Sequence, residues 1–295
     1  MDLMNQTANL RAAGEFPSLQ IGGQIISFEK PQLMGIINVN SESFFEGSRA
    51  DGVESALRLA AKHVEEGAHF LDIGATSTKP GSALSDPEQE WQRLQPVLNA
   101  VRKAYPDLFI SVDTYHAMVA GRAVDCGADL INDVSAGKFD PQMLETIVKL
   151  NVPYILMHIR GTPETMQKNP EYSNVAIEVL QELATVLQKL RSLGMSNLIA
   201  DVGFGFGKTL EQNYALLRQL PGFSALRAPI LVGLSRKSMI TRLLNVSADK
   251  ALNGTTALHV LALLNGANIL RVHDVAEAAE AVRIVEAYKG NGINH

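Results

Sequence analysis

Apolar residues along this chain gather in short unbroken runs, separated by longer segments of helical period. The runs are Leu33–Val39, Phe70–Ile73, Phe109–Val112, Leu130–Asn132, Tyr154–Met157, Leu198–Asp201, Ile230–Gly233 and Ile269–Val272. None alternates polar with apolar residues, as expected of parallel strands covered on both faces. Between them, Val53–Glu66 sets Ala56, Leu57, Ala60, Ala61 and Val64 on one stripe. Glu88–Ala104 does the same with Trp91, Leu94, Val97, Leu98 and Val101, and Val175–Leu193 and Val275–Tyr288 are predicted as helices by the same period. Gly67, Gly127, Gly194 and Gly266 each follow a helical segment, where a residue at positive φ ends the helix cheaply.

Eight βα repeats without a break predict an α/β fold, a (β/α)8 barrel of the TIM type rather than an open doubly wound sheet. Ahead of the repeats, Leu19–Ile26 with Gly22-Gly23 at its centre predicts a β-hairpin, a candidate cap for the bottom of the barrel. The chain is read as one domain, with residues 1–16 a loose leader and 289–295 a loose tail.

Composition narrows the function. Of 295 residues, 46% are hydrophobic and 19% charged, which excludes a disordered or fibrous chain. Twenty-six basic against 31 acidic residues give a net charge of −5, so nothing favours nucleic acid or an anionic membrane as partner. Cys126 is the one cysteine, which rules out an intrachain disulfide and a cysteine zinc site; it is expected to be a small buried residue. No signal segment and no membrane-length apolar run is visible, so the expected location is a reducing cytoplasm.

Barrels keep their chemistry at the C-terminal ends of their strands. Here every strand end is polar: Asn38 and Asn40 after the first, Asp72 in the second, Asp113, Asn132-Asp133, His158, Asp201, Ser235-Arg236-Lys237 and Arg271-Val272-His273-Asp274. A single Asp before a helix is ordinarily an N-cap; eight polar ends in phase read as a ligand-binding rim. Asp113, Asn132 and Asp201 suit the edge of a planar nitrogen heterocycle, since a carboxylate accepts paired N–H bonds and an asparagine amide offers one group of each kind. Arg271 and His273, at the start of the last helix, suit a phosphate or diphosphate, and Lys237 stands where it could bridge the two halves. Gly203-Phe-Gly-Phe-Gly-Lys208 has neither Walker nor dinucleotide spacing; its glycines permit close backbone approach, and Phe206 could pack on a ring. His63, His69, His116 and His259 fall on or beside helices, away from the rim, and read as structural.

These motifs, in this order, resemble those of the dihydropteroate synthases, the sulfonamide-inhibited enzymes of folate synthesis. The resemblance runs over residues 18–288. It rests on Met34-Gly-Ile-Ile-Asn38-Val, Asp72-Ile-Gly, Ser77-Thr78, Pro80-Gly81, Ser111-Val-Asp113-Thr114, Ile131-Asn132-Asp133, Leu156-Met157-His158, Gly203 to Lys208, Ser235-Arg236-Lys237-Ser238 and Arg271-Val-His273-Asp274-Val. It implies a transferase joining 7,8-dihydropterin-6-ylmethyl diphosphate to 4-aminobenzoate by an SN1-like route, with Mg2+ as cofactor, as a homodimer. It further implies that Asp113, Asp201 and Lys237 are catalytic. The pterin would be held by Asp113, Asn132, Met157, Asp201, Phe206, Gly233, Lys237 and Arg271. Asn38, Thr78, Arg271 and His273 would hold the diphosphate, with Asn38 contacting the metal. Phe44, Thr78, Pro80, Ser235 and Lys237 would hold the benzoate, and sulfonamides would inhibit.

The departures from the family pattern cluster in two loops. Asn38-Val39-Asn40-Ser41-Glu42-Ser43-Phe44 lacks the usual proline, and so a fixed φ. Lys79 stands where the family carries an arginine, whose bidentate fork a lysine cannot reproduce. Val202 replaces a proline after Asp201. Two other readings compete: a corrinoid-linked pterin methyltransferase, which would need no diphosphate site, and a pterin-binding protein without catalysis.

Overall fold

All eight apolar runs form strands in the computed structural model, which describes residues 17–39, 49–75, 84–166 and 170–290. A hairpin comes first, β1 (Ser18–Ile21) and β2 (Gln24–Ser27), antiparallel, with Ile21 opposite Gln24. Gly22 and Gly23 turn it at φ 55° and 81°, the pair of positive angles that a two-residue turn of matching twist requires. The barrel strands are β3 (Gln32–Asn38), β4 (Phe70–Gly74), β5 (Phe109–Asp113), β6 (Leu130–Asp133), β7 (Tyr154–Met157), β8 (Leu198–Asp201), β9 (Ile230–Val232) and β10 (Ile269–Val272). They are parallel, in sequence order, and close when β10 pairs with β3.

Helices cover the outside: α1 (Arg49–Glu65), α2 (Pro87–Ala104), α3 (Ala117–Asp125), α4 (Met143–Leu150), α5 (Val175–Ser192), α6 (Leu210–Arg218), α7 (Ser238–Leu244), α8 (Leu252–Leu264) and α9 (Val275–Tyr288). Local chemistry fixes several of their ends. Asp86 accepts from the Gln89 amide at the start of α2, Asn174 caps α5, and Thr209 with Gln212 forms a reciprocal capping box on α6. On α1 the predicted stripe needs one correction. Ala56 and Ala60 are buried but Ala61 is exposed, and His63 takes the inner position instead, its Nε2 3.1 Å from the Ile36 carbonyl. An imidazole with a backbone partner can sit in the core where a patterning argument expects an alanine.

Two apolar cores result. The larger lies between strands and helices. The smaller plugs the barrel from below, with Met34, Phe70, Leu130, Ile155, Ile199, Leu231 and Ile269 from the strands. Leu19, Ile21 and Phe28 of the hairpin segment belong to the same cluster, so the hairpin caps the bottom, as the sequence predicted. Cys126 is half-buried at the end of α3 rather than enclosed. Among the described residues, no helix is long and apolar enough to cross a membrane.

Candidate active site

Side chains alternate faces along a strand, so the residue two places beyond each plug residue also points into the barrel, one layer higher. That rule carries Phe70 to Asp72, Leu130 to Asn132, Ile155 to Met157, Ile199 to Asp201, Leu231 to Gly233 and Ile269 to Arg271. A floor of apolar residues is thus overlaid by a layer of charge, all from strand ends.

The charges interlock. Arg271 donates from Nε to Asp72 Oδ2 at 2.5 Å and from Nη2 to Asp113 Oδ2 at 2.8 Å. Asn132 Nδ2 donates to the same Asp72 oxygen at 3.0 Å. Burial pushes the Asp113 carboxyl up to about 7; Arg271 opposes the rise and Asp72 adds to it. Burial also works against the Arg271 charge, but Asp72 and Asp113 outweigh it and its pKa rises. Arg271 belongs to β10, not to the start of the last helix as the sequence suggested; only His273 lies in the turn before α9.

Across the mouth, Asp201 accepts from the Gly203 amide at 2.8 Å, and burial raises its pKa against the pull of Lys237. Lys237 donates to the Phe204 carbonyl at 2.5 Å and lies 4.7 Å from the centre of the Phe206 ring. Burial lowers this lysine to about 8, with Asp201 resisting. Its Nζ would lie 3.7 Å from a Cβ added at Gly233, so that glycine forms the floor between Lys237 and Arg271. Met157 and Phe206 share an apolar cluster with Tyr115, Val134 and Ile159, a wall beside the charged layer. The mouth therefore offers a flat polar molecule acids on its edge, a cation over one end and thioether and aromatic contacts beside it.

Ser235 and His273, expected to serve different ligands, stand together: Ser235 Oγ is 3.1 Å from His273 Nδ1 and accepts from the His273 amide at 3.3 Å. Burial, and then Arg271, lower the His273 imidazole to about 4, so it is neutral at pH 7. The neighbouring Arg236 and Asp274 form a bidentate pair, at 2.9 and 2.6 Å, that locks the last two loops to each other. Asn38 is exposed at the end of β3. Phe44, Thr78, Pro80 and Lys79 lie outside the described residues.

The glycine-rich loop serves the protein before any ligand. A Cβ at Gly203 (φ 68°) would stand 1.9 Å from the His158 carbonyl oxygen, and one at Gly207 (φ 63°) 2.4 Å from that of Arg160. The close approach is to the next loop, not to a phosphate. Lys208 is turned inward, donating to the Gly203 carbonyl at 2.8 Å and the Phe206 carbonyl at 3.1 Å beside His158 Nδ1, and burial holds its pKa well below the ordinary value. His116 also departs from expectation. It follows β5 near the rim, its Nε2 2.9 Å from the Ser85 carbonyl at the foot of the second loop. His69 and His259 are structural as expected: the first accepts the Leu33 amide through Nδ1, and the second is buried in α8.

Sequence reasoning gave no role to Asp72 or Asp133. Asp133 is buried and receives the Tyr154 hydroxyl at 2.6 Å, the Ser135 amide and hydroxyl at 2.7 Å each and the Gly137 amide at 2.7 Å, which fixes the fourth loop. Parity with Phe70 would have pointed Asp72 inward.

A barrel with acids, an amide, a lysine and an arginine converging at its mouth suits a planar nitrogen heterocycle. Residues 34–273 match the family model described as "Pterin binding enzyme". The chain is 41% identical over 271 residues to the dihydropteroate synthase of Haemophilus influenzae, a match covering 91% of this chain and 98% of that one. Among solved structures, a Yersinia pestis dihydropteroate synthase with a sulfonamide drug complex superposes with a TM-score of 0.87 at 38% identity, over 92% of this chain and 99% of the other. A Xanthomonas albilineans dihydropteroate synthase with 4-aminobenzoic acid gives 0.86 at 37% identity, over 94% of this chain and 100% of that one. The chain belongs to the dihydropteroate synthase family.

Proposed function

We propose that this chain joins 7,8-dihydropterin-6-ylmethyl diphosphate to 4-aminobenzoate, releasing 7,8-dihydropteroate and diphosphate. The observation that carries this is the layer of Asp72, Asp113, Asn132, Asp201 and Arg271 on the strands, with Lys237 from the loop after β9, matching the family motifs. In this reading the methylene C–O bond breaks first, its electron pair leaving on the diphosphate. Positive charge spreads over the methylene and ring, where the carboxylates of Asp113 and Asp201 stabilise it without reorganising. The aryl amine then donates its lone pair to form the C–N bond and sheds a proton. Asn132 holds the pterin edge and Met157 and Phe206 its face, over Gly233. Lys237 spans pterin and benzoate, and Ser235 meets the benzoate carboxylate. Phe44, Thr78 and Pro80 belong to loops that in this reading close over the benzoate and exclude water that would capture the cation. Arg271 and the neutral His273 donate toward the diphosphate side.

The donor set suits a hard divalent cation that arrives with its diphosphate. Asn38 offers one exposed carbonyl oxygen, and among the described residues no group of three His, Cys, Asp or Glu is placed to hold an ion. When bound, Mg2+ would neutralise charge on the departing diphosphate. Sulfonamides, as found with the Yersinia pestis relative, are expected to compete with the benzoate.

The same reading includes a homodimer in the cytoplasm. Leu243, Leu244, Leu261, Leu264, Ile284 and Tyr288 are all large and exposed, and all lie on α7, α8 and α9. That clustering fits a covered face. Light scattering should give twice the chain mass, and Leu261→Glu should return it to the monomer value.

Diphosphate release from the purified protein is the first test, with pterin diphosphate and Mg2+, with and without 4-aminobenzoate. Release that requires the benzoate, with dihydropteroate as product, supports the synthase. Tight pterin binding without product would overturn it in favour of a pterin-binding protein.

A further inference from the structure

Asp72 lies beneath the pocket and touches no open space. Its Oδ2 accepts from two groups assigned to the pterin, Arg271 Nε and Asn132 Nδ2. An asparagine amide can face a pocket either way round, as donor or as acceptor. With one amide hydrogen of Asn132 bound to Asp72, its carbonyl oxygen is left to the other side. A guanidinium likewise has a free choice of plane until two acceptors fix it. Asp72 and Asp113, 2.5 and 2.8 Å from Nε and Nη2, do so.

We infer that Asp72 is a positioning residue for the pterin: one buried carboxylate sets the amide orientation of Asn132 and, together with Asp113, the plane of the Arg271 guanidinium. It deepens the proposed function and rests on it for the identity of the ligand. Asp72 touches no substrate. Its effect passes through two side chains that do, which is how outer contacts impose geometry on a binding shell. Its second oxygen, Oδ1, and the Ser111 Oγ on the paired strand position are both buried without a partner. Among the described residues, the Asp72 carboxylate is therefore held only by the two groups it orients.

Asp72→Asn tests this. Its side chain is nearly isosteric, but a neutral amide oxygen replaces the charged one that receives both partners, so both bonds lose their charge assistance. The affinity for pterin diphosphate should fall by about 10- to 100-fold, with the benzoate KM at saturating pterin within about 2-fold. A second readout separates positioning from a general loosening. Asp113 is faced by Asp72 on β4, Arg271 on β10, Glu90 on α2 and Asp133 on β6. Removing the Asp72 charge lets Arg271 act on Asp113 alone, so the acid limb of kcat/KM should move to lower pH. Unchanged pterin affinity with an unmoved limb would overturn the inference. So would equal losses for both substrates with the limb in place. If the asparagine variant does not fold, Asp72→Glu keeps the charge but displaces it by a methylene. It should show the same selective loss of pterin affinity, and wild-type affinity in that variant would overturn the inference. A wild-type protein that fails to bind the pterin diphosphate overturns the proposed function instead, which keeps the two failures distinct.

Discussion

The floor and the mouth of the barrel are two residues apart on six of the strands and share one inward parity, yet they obey opposite rules. The floor is Met34, Phe70, Leu130, Ile155, Ile199, Leu231 and Ile269, closed from below by Leu19, Ile21 and Phe28. One layer up stand Asp72, Asn132, Asp201 and Arg271, buried or nearly so, with Asn132 and Arg271 both tied to Asp72 and Asp201 tied to the Gly203 amide. Apolar burial is non-directional and stabilises at every position. Buried charge costs free energy unless each partner is satisfied. The floor therefore tolerates approximation, whereas the mouth requires particular atoms at particular distances. The structure places stability in one layer and chemistry in the next.

Phe70→Ala should break the floor alone. It should cost about 3–5 kcal/mol of stability, seen as a lower Tm, with kcat/KM at permissive temperature near the wild-type value. Turnover lost in proportion to stability would show that the layers are not separable. Lys237→Ala should do the converse, reducing kcat/KM by about 100-fold or more while Tm hardly moves; wild-type kinetics would remove this lysine from the reaction.

The pH profile sharpens the same contrast, because two groups of the mouth are shifted toward neutrality. Asp113 is held up at about 7 and Lys237 down at about 8. As pH rises through 7 the carboxylate gains the charge needed opposite a developing cation; as it rises through 8 the lysine loses its own. The kcat/KM for pterin diphosphate should form a narrow bell between these apparent values, falling about 10-fold per pH unit outside it. Asp113→Asn should flatten the acid limb at a lower plateau. A profile flat from pH 6 to 9 would show that neither ionisation governs the reaction. Smallest should be the effect of Lys79→Arg. Restoring a fork for the benzoate carboxylate should lower its KM a few-fold, and an unchanged KM would mean the lysine suffices.

The floor was readable in the sequence and the mouth only partly so. Strand ends fell within a residue or two of the apolar runs, because a strand covered on both faces is largely apolar. The hairpin followed from Gly22-Gly23, whose backbone requirement is local. What escaped was the partnership of charges. Asp72 and Arg271 are 199 residues apart and Arg271 and Asp113 are 158 apart, so no local pattern joins them. Lys208 ends a glycine-rich run, yet its amine is folded back onto the carbonyls of that run. The glycines of the same run were legible as sites of close approach, but not what they approach.

Those sequence separations also bear on how the molecule is made. β10 supplies the pairing that shuts the barrel, Arg271 beside Met34, and the same residue carries the guanidinium that joins Asp72 to Asp113. Closure and completion of the charged layer are a single late event in synthesis. Until residues 269–272 leave the ribosome, β3 and β9 present open edges, and two facing acids lack the cation that lets them share a pocket. A nascent chain thus lacks its longest-range contacts until β10 has been made, the circumstance in which folding is slow and exposed edges invite aggregation. Chaperone dependence is to be expected of the synthesis of this chain more than of its finished barrel.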